Sequence, residues 1–305
     1  MNKPVEDTGA IAGFGFAVFL LVCGVTTASL SGAFMKILST DLNTAMLTFG
    51  RYSGYLLVIL PFSLWKYGRQ VFVPPQAQVQ FLRAVMILGA TFAFIYSIRL
   101  LPIATTVAIL YVYPFLVALM SPALLGERAS SASWAGVTGG FIGILIVMRP
   151  DVDAFNAGAI AALVTGAFYA LHIILTRKVA NAAPALVSNS FMAIVALVLV
   201  SPLTYLWWQP VSLQQAGIML VLGGVNAIAH LLIINAYKLS PAPALAPFTY
   251  SEIVATTLWG IAIFGDVPDI VTLVGITIII TSGIMVTQSG RFGRLLAKRR
   301  AASGG

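Results

Sequence analysis

Charged residues are scarce in this chain. Lys, Arg, Asp and Glu make up 9% of its 305 residues, whereas 59% are hydrophobic and the mean hydropathy is +0.97. Soluble domains carry roughly 25% charged and about 45–50% apolar residues, so these proportions exclude an ordinary water-soluble protein. Intrinsic disorder is excluded as well, because disordered segments are poor in apolar residues. A protein embedded in a lipid bilayer remains.

Cysteine and histidine are also rare. The single cysteine, Cys23, excludes an internal disulfide, and its apolar surroundings predict a small packed residue. The two histidines, His172 and His230, lack the spacing of a metal motif, and there is neither a phosphate-binding loop nor a Ser–His–Asp arrangement. The sequence therefore predicts no enzymatic activity, no metal and no cofactor.

Ten apolar segments of about 20 residues each are separated by Pro, Gly or charged residues, which is the pattern of membrane helices. Strands of a membrane β-barrel would alternate over about ten residues instead. The first segment is too long for the apolar part of a signal peptide. The predicted spans are 10–35, 43–65, 80–99, 103–122, 132–149, 157–177, 185–207, 214–237, 241–264 and 268–288.

The net charge of +8 reflects membrane topology rather than a nucleic-acid partner, because the basic residues lie in loops and in the tail. Ten spans place both termini on one side, and thirteen of the 17 basic residues fall there. By the positive-inside rule that side is the cytoplasm. Its basic residues are Lys3, Lys66, Arg69, Arg83, Arg128, Arg177, Lys178, Lys238, Arg291, Arg294, Lys298, Arg299 and Arg300; Lys36, Arg51, Arg99 and Arg149 lie opposite.

An internal repeat divides the chain. The sequence RLLP at 99–102 recurs as KLSP at 238–241, an offset of 139 residues. Each repeat holds five spans, and an odd number means that the two repeats enter the membrane in opposite orientations, a common plan of secondary transporters. The predicted regions are a cytoplasmic N-terminus (1–9), two five-helix repeats (10–149 and 150–288) and a basic cytoplasmic tail (289–305). The same offset pairs Tyr111 with Tyr250, Gly126-Glu127 with Gly265-Asp266, and Gly136 with Gly275.

These features together resemble one transporter family. The two five-span halves, the Arg/Lys-x-x-Pro entry to spans four and nine, and the Gly-Glu or Gly-Asp that ends them are similar to the drug/metabolite transporter superfamily. The closest resemblance is to its EamA-type exporters, and within these to the bacterial YddG-type exporters of aromatic and other neutral amino acids. The resemblance implies an inner-membrane carrier with a central cavity lined by spans three, four, eight and nine and gated by spans one, two, six and seven.

Glu252 is the acidic residue that stands out. Eight of the nine acids lie at span ends or near the termini, whereas Glu252 lies about eleven residues into span nine. At about 1.5 Å per residue this is near the middle of a roughly 30 Å apolar core. A carboxyl there faces a cavity or a partner. Binding of a substrate ammonium, proton transfer, and a protonated carboxyl bonded to a neighbouring helix all stay open.

Tyrosines surround this acid in the repeat. The mate of Glu252 is Tyr113, and Tyr111 is the mate of Tyr250, so these four residues are predicted at similar depth around the cavity. A tyrosine offers a flat apolar face and a hydroxyl, which suits an aromatic amino acid, although interhelical packing is an equal alternative. Further substrate-binding candidates, or else polar contacts between helices, are Tyr96, Asn226 and Asn235.

Other residues are candidates for proton transfer, bending and packing. His172 and His230 are potential proton relays, although a neutral packed imidazole is the simpler interpretation. Arg51 either snorkels to the outer interface or faces the pathway. Prolines within spans predict hinges or fixed kinks, and spaced glycines predict close packing of spans five and ten. The prolines are Pro114, Pro243 and Pro247, and the glycines are Gly136, Gly140, Gly143, Gly275 and Gly283.

The sequence thus predicts an all-helical, ten-span secondary transporter of the bacterial inner membrane. It exports small metabolites, with aromatic or neutral amino acids as the first expectation, by alternating access of two inverted halves. Its partners are the small-molecule substrate and the lipid bilayer. An exporter of drugs or other metabolites, a passive channel and a membrane-embedded enzyme are the alternatives. Proton coupling and oligomeric state stay open, and a monomer is sufficient.

Overall fold

The computed structural model describes residues 7–125, 131–148, 157–179, 182–239, 248–282 and 284–285, and within these every regular element is a helix. A 3₁₀ turn, Gly68–Val71, follows α2, and a π-helical turn, Gly260–Phe264, continues α10. The helices are α1 (Asp7–Ser39), α2 (Thr44–Tyr67), α3 (Ala77–Leu100), α4 (Ile103–Leu110), α5 (Tyr113–Leu125), α6 (Ser131–Met148), α7 (Ala157–Val179), α8 (Ala185–Leu206), α9 (Leu213–Leu239), α10 (Ser251–Trp259) and α11 (Ile270–Ser282).

The helices are those of a multi-pass membrane protein. Six of the described helices are long and apolar enough to cross a bilayer, and the bent pair 103–117 and 119–125 makes a seventh if it counts as one span. Three shorter apolar helices, Thr138–Val147, Ser251–Phe264 and Ile270–Ser282, occupy the remaining predicted segments. The prediction of an all-helical membrane fold is confirmed. Helix length by itself establishes six or seven spans, because the apolar stretches counted in the other three segments are 10–17 residues long; the predicted ten spans are not confirmed by it.

Helices from the two predicted halves pack against each other. The most extensive pairings are α3 with α7, α1 with α9, and α2 with both α8 and α9. Smaller interfaces join α1 to α10, and α4 to α7. The described helices α1–α4 and α7–α10 therefore form one interleaved bundle, and residues of the two halves meet directly in its interior.

Glycines bring the backbones of α2 and α9 into contact. A Cβ at Gly54 would lie 2.5 Å from the Leu220 carbonyl oxygen. A Cβ at Gly223 would lie 2.5 Å from the Tyr55 nitrogen and 2.7 Å from the Gly54 carbonyl carbon. Small residues allow this approach in membrane helices, where close van der Waals contact drives association. The interface fixes Tyr55 and its neighbours on α2 against α9.

Gly223→Ala is expected to destabilise the protein by about 1–3 kcal/mol, because the new methyl group meets backbone atoms that cannot rotate away. The matched control is Gly217→Ala in the same helix, where nothing lies within 4 Å of a new Cβ. That control is expected to be neutral or to stabilise by up to about 1 kcal/mol, since Ala favours helix over Gly. Thermal unfolding of both variants in one detergent measures the difference; equal midpoints would contradict the close contact.

A second glycine contact joins α6 to α11. A Cβ at Gly143 would lie 2.8 Å from the Gly275 carbonyl oxygen, which agrees with the predicted close packing of these segments. Gly140 differs from its prediction, since no atom lies within 4 Å of a Cβ built on it. At about 100° per residue, positions 140 and 143 point some 60° apart, so the helix rotation turns Gly143 and not Gly140 to the partner. Gly283 and the surroundings of Gly136 lie outside the described residues.

Polar contacts close one end of the bundle, which we call the closed end: residues 36–43, Arg99, residues 207–209 and Asp266. Lys36 Nζ lies 2.7 Å from Asp266 Oδ2 and forms an ion pair between α1 and the segment after α10. The Arg99 guanidinium donates to the carbonyls of Ser39 and Leu42 at 2.9 and 2.6 Å. The 39–43 turn is also bonded to the segment after α8: Asn43 Nδ2 donates to the Trp207 carbonyl (2.6 Å), and Gln209 Nε2 donates to the Asp41 carbonyl (2.8 Å).

Candidate functional site

A helix break places Tyr111 and Tyr113 in the middle of the bundle. α4 ends at Leu110 and α5 begins at Tyr113. Pro114 has no N–H, so the Leu110 carbonyl four residues earlier has no helical partner. A Cβ at Gly166 of α7 would lie 2.9 Å from this carbonyl oxygen and 2.5 Å from Val112 Cγ1, so α7 passes directly beside the break. The predicted hinge or kink at Pro114 thus lies at an interruption that begins three residues before it.

The Tyr111 hydroxyl joins the two predicted halves. It lies 3.0 Å from Glu252 Oε2 and 3.0 Å from the Thr249 carbonyl oxygen. A phenol has one proton and donates to only one of these acceptors. Both contacts are hydrogen bonds at the same time only when Glu252 carries a proton and donates to the phenolic oxygen. The geometry therefore couples the protonation of Glu252 to the direction of the Tyr111 hydrogen bond.

Aromatic rings continue from this bond into α7. The Tyr111 ring centroid lies 5.4 Å from those of both Tyr250 and Tyr113, and Tyr113 makes an edge contact with Tyr169 at 4.9 Å. Tyr169 in turn stacks on His172 at 6.0 Å. We call Tyr111, Tyr113, Tyr169, Tyr250 and Glu252 the tyrosine–glutamate cluster. Its rings, except that of the buried Tyr111, are partly exposed, as is Glu252, so the cluster offers aromatic faces beside a carboxyl group.

A second polar group surrounds Arg51 on α2. Its Nη1 donates to Thr91 Oγ1 at 3.2 Å. With the Asn226 amide turned so that its oxygen faces the guanidinium, that oxygen accepts from Arg51 Nε at 3.2 Å and from Nη2 at 2.8 Å. The guanidinium also lies 5.7 Å from the centroid of the Tyr52 ring. Of the two interpretations that the sequence left open for Arg51, the structure shows the inward one, because three helices hold the side chain between them.

Arg83 on α3 is buried, with 2% of its surface exposed. Its Nη2 donates to Asn189 Oδ1 at 2.8 Å, and its Nη1 donates to Gln80 Oε1 at 3.2 Å. The sequence counts Arg83 among the basic residues of loops and tail on the cytoplasmic side. The side stays a prediction, but Arg83 does not lie in a loop, because polar side chains of α3 and α8 hold its guanidinium inside the bundle. The sequence does carry a sign of this burial: Arg83 lies about three residues inside the predicted span 80–99, and no acidic residue is near it in sequence.

Both histidines lie next to these arginines. His172 Nδ1 is 3.1 Å from the Arg83 carbonyl oxygen, and His230 Nδ1 is 2.9 Å from the Asn226 carbonyl oxygen. Because a carbonyl only accepts, each Nδ1 carries the proton and each Nε2 is left as an acceptor. His230 also meets the ring of Tyr55 edge-on at 5.6 Å. We call Arg51, Arg83, Tyr55, His172 and His230 the arginine cluster.

The structure therefore sorts the predicted residues into two groups and leaves some outside both. Tyr111, Tyr113, Tyr250 and Glu252 come together as predicted, and Tyr169 joins them without having been singled out. The histidines belong to the arginine cluster instead, and Asn226 contacts it through Arg51 and His230. Tyr96 on α3 and Asn235 on α9 are exposed on their helices. Pro243 and Pro247 lie outside the described residues. In the described part of the chain, no three His, Cys, Asp or Glu side chains are grouped as metal ligands would be.

Comparison with known proteins also indicates a membrane transporter. The profile of the EamA-like transporter family matches the chain twice, over residues 15–149 and 156–288. A solved crystal structure superposes with a TM-score of 0.64 at 18% identity and covers 94% of this chain and 100% of that chain, which shows a shared fold.

Several characterised transporters are similar in sequence. An S-adenosylmethionine uptake transporter of Rickettsia prowazekii is 24% identical over 275 residues, which is 90% of this chain and 92% of the relative. A riboflavin transporter of Vibrio cholerae is 27% identical over 244 residues, covering 78% and 80% of the two chains. The pseudopaline exporter CntI of Pseudomonas aeruginosa is 26% identical over 278 residues, covering 89% and 96%.

Proposed function

Because this chain belongs to the EamA-like transporter family and so moves small metabolites across a membrane, we propose that its substrates are amino acids, aromatic or otherwise neutral, which it exports from the bacterial cytoplasm. The proposed mechanism is alternating access in the inner membrane, without enzymatic activity. The observation that carries the proposal is the bond between Tyr111 and Glu252, set among three further tyrosine rings where the two halves meet.

The proposed architecture is ten spans in two inverted five-helix repeats, with boundaries at 10–149 and 150–288. The two successive family matches support this division. So do the helix pairings, because exchanging the halves converts one pairing into another. The α3–α7 pairing becomes α9–α1, α2–α9 becomes α8–α3, and α1–α10 becomes α7–α4, and all of these interfaces occur. We propose that residues 1–9 and the basic tail at 289–305 are cytoplasmic, as the charge distribution predicts.

In this mechanism the tyrosine–glutamate cluster binds the substrate. The carboxyl of Glu252 accepts from a substrate ammonium, and the rings of Tyr113, Tyr169 and Tyr250 contact an apolar side chain. When the substrate ammonium donates to the carboxyl of Glu252, the Tyr111 hydroxyl can leave that carboxyl and donate to the Thr249 carbonyl instead. Tyr111 follows α4 and Tyr250 precedes α10, so both lie at helix ends, where backbone movement is easiest. Alternation of the two halves then exposes the cluster to one side of the membrane at a time.

Flux from proteoliposomes tests the function. Vesicles preloaded with labelled Phe, Met, S-adenosylmethionine or riboflavin are diluted with and without a pH gradient. We expect efflux of Phe and Met to be saturable and to be accelerated when unlabelled substrate is outside. A passive channel would instead give efflux that does not saturate. If no solute shows saturable flux, the proposal that this protein transports amino acids is refuted.

A second candidate function is uptake rather than export. It is favoured by the Rickettsia relative, which is named for uptake of S-adenosylmethionine, a molecule that carries an α-amino acid group. Flux of S-adenosylmethionine that exceeds Phe flux tenfold or more, with faster entry than exit in vesicles of known orientation, would replace the export proposal by this one.

A further inference from the structure

Two arginines lie inside the helix bundle without an acidic partner. In the described residues neither Arg51 nor Arg83 forms an ion pair, and every group that accepts from them is neutral. An unpaired guanidinium within a membrane costs several kcal/mol, and intramembrane charges therefore face a pathway or a counter-ion. Glu252, the acid within the described spans, is bonded to Tyr111 and not to either arginine. Within the described residues, therefore, no anion partners these two cations.

A buried hydroxyl points to the same requirement. Tyr55 is 2% exposed, and among the described residues its hydroxyl has no hydrogen-bond partner. The Arg83 Nε–H is also buried without a partner. A buried polar group without a partner costs about 1–3 kcal/mol, so such groups are rare and two in one cluster indicate a missing ligand. The Tyr55 ring meets His230 edge-on at 5.6 Å. His230 is bonded to the carbonyl of Asn226, whose side chain accepts from Arg51.

The two arginines approach Tyr55 from opposite ends of the bundle. α2 and α3 are consecutive antiparallel helices, and Arg51 is seven residues beyond the first residue of α2, about 10 Å along its axis. Arg83 is six residues beyond the first residue of α3, about 9 Å from the other end. Each is held by an asparagine of the second half, Asn226 for Arg51 and Asn189 for Arg83. Tyr55 lies between them, near the middle of α2.

We propose that the arginine cluster is a carboxylate-binding site: Arg51 and Arg83 bind the carboxylate of the substrate in turn, and the Tyr55 hydroxyl, which lies between them, donates to it. This proposal rests on the proposed function and names the second pole of the substrate site, opposite in charge to Glu252. A guanidinium presents a planar fork of N–H donors that matches the two oxygens of a carboxylate. With one arginine on each side, the carboxylate passes from one to the other as access alternates. The site thus selects substrates that carry both an ammonium and a carboxylate.

Binding of matched ligands to the purified protein in detergent tests the site independently of transport. Phenylacetate and phenylacetamide have the same shape and differ in the carboxylate charge, and phenethylamine carries only the amine. We expect phenylacetate to stabilise the protein against thermal unfolding in a saturable manner and phenylacetamide to have at most a weak effect. Equal effects of these two ligands, or stronger binding of inorganic phosphate than of phenylacetate, would overturn the carboxylate assignment.

Tyr55→Phe is the sharpest variant, because it removes a hydroxyl that makes no hydrogen bond in the folded protein. A purely structural role predicts unchanged or improved stability and unchanged ligand binding. The proposal predicts unchanged stability and at least about a tenfold rise in the Kd of phenylacetate, the effect of losing one hydrogen bond to a charged group. Binding of phenethylamine is expected to stay as in the wild type. Tyr205→Phe, at an exposed tyrosine of α8, is the matched control.

Arginine variants complete the test. Arg83→Gln is expected to weaken phenylacetate more than tenfold, and Arg83→Lys, which keeps the charge and the fold, to give an intermediate value. Arg69→Gln, at an exposed arginine, is the control for loss of one positive charge. If Tyr55→Phe and both Arg83 variants bind phenylacetate as the wild type does, the site is refuted. If binding depends on the carboxylate but no amino acid is transported, the carboxylate site stands and the export proposal is refuted. If amino acids are transported but binding does not depend on the carboxylate, the export proposal stands and the carboxylate site is refuted.

Discussion

Glu252→Gln is expected to reduce substrate flux driven by a pH gradient at least about tenfold while the protein still folds. Gln has nearly the shape of Glu, and its amide N–H can donate to the Tyr111 oxygen as a protonated carboxyl does. The Tyr111 hydroxyl then stays on the Thr249 carbonyl, 3.0 Å away. The Gln amide can offer either its N–H or its carbonyl oxygen to Tyr111, but it neither gains nor loses a proton near neutral pH, so the hydrogen bond of Tyr111 is no longer tied to a protonation step.

Exchange measurements distinguish the two roles that remain open for this carboxyl. If Glu252 carries a proton, Glu252→Gln keeps exchange of labelled for unlabelled substrate and loses the response to the pH gradient. If it binds the substrate ammonium, exchange falls as well and the half-saturating concentration rises, by about tenfold or more for the loss of a hydrogen bond between charged groups. Flux and pH response that equal those of the wild type would remove Glu252 from the site.

Tyr111→Phe provides the partner measurement. It removes the hydroxyl between Glu252 and Thr249 but keeps the ring that contacts Tyr113 and Tyr250. Since the two groups act through one bond, the double variant Tyr111→Phe, Glu252→Gln is expected to be no worse than the poorer single variant. Effects that multiply would show that the two side chains act separately.

The tyrosine–glutamate cluster was predictable from two features of the sequence, the depth of Glu252 in its span and the offset between the two repeats. The acid within an apolar span was identified by its depth, and the 139-residue offset connected Tyr111 to Tyr250 and Glu252 to Tyr113. Both features depend on local sequence and on the repeat, and neither needs the packing of helices. Tyr169 has no counterpart at this offset among the selected residues, so its place between Tyr113 and His172 emerged only from the contact of α5 with α7.

The arginine cluster was not predictable by the same means. Counting charges on each side treats every arginine near a span end as a loop residue, and this rule did not indicate that Arg83 is buried. Its partners Asn189 and Ser188 are more than 100 residues away in sequence, on a helix that only the fold brings beside α3. Gly140 failed for a related reason, because glycine spacing alone does not tell which face of α6 turns to α11. In both cases helix rotation and partner choice decide, and these are tertiary properties.

Lys36 and Asp266 show an intermediate case. The predicted topology put both on the same side of the membrane, Lys36 at the end of span one and Asp266 after span nine. Their pairing at 2.7 Å required the fold, which sets α1 beside α10. The Lys36 ammonium also lies 4.7 Å from the ring centroid of Phe264, so the cation is held from two directions. The pair links the first half to the second at the closed end and must separate if that end opens.

Reversal of one charge is therefore expected to open the closed end. The side chains of Lys36 and Asp266 are 18% and 29% exposed, between a surface pair worth up to about 1 kcal/mol and a buried pair whose rupture costs about 3–5 kcal/mol. A loss of about 1–2 kcal/mol shifts a two-state equilibrium about tenfold. Lys36→Asp or Asp266→Lys adds repulsion to this loss, and the double reversal Lys36→Asp, Asp266→Lys restores an attractive pair.

Labelling of a buried cysteine measures this shift. Ser39 is 4% exposed at the closed end, and Cys23, the single native cysteine, can be replaced by Ser. In a Cys23→Ser, Ser39→Cys background, each single reversal is expected to raise the rate of modification by a membrane-impermeant maleimide about tenfold, and the double reversal to return it toward the starting rate. High salt is expected to raise the rate of the starting protein, because it screens the attraction, and to lower the rate of each single reversal, because it screens the repulsion. Equal labelling of all four proteins would mean that the ion pair does not hold this end shut.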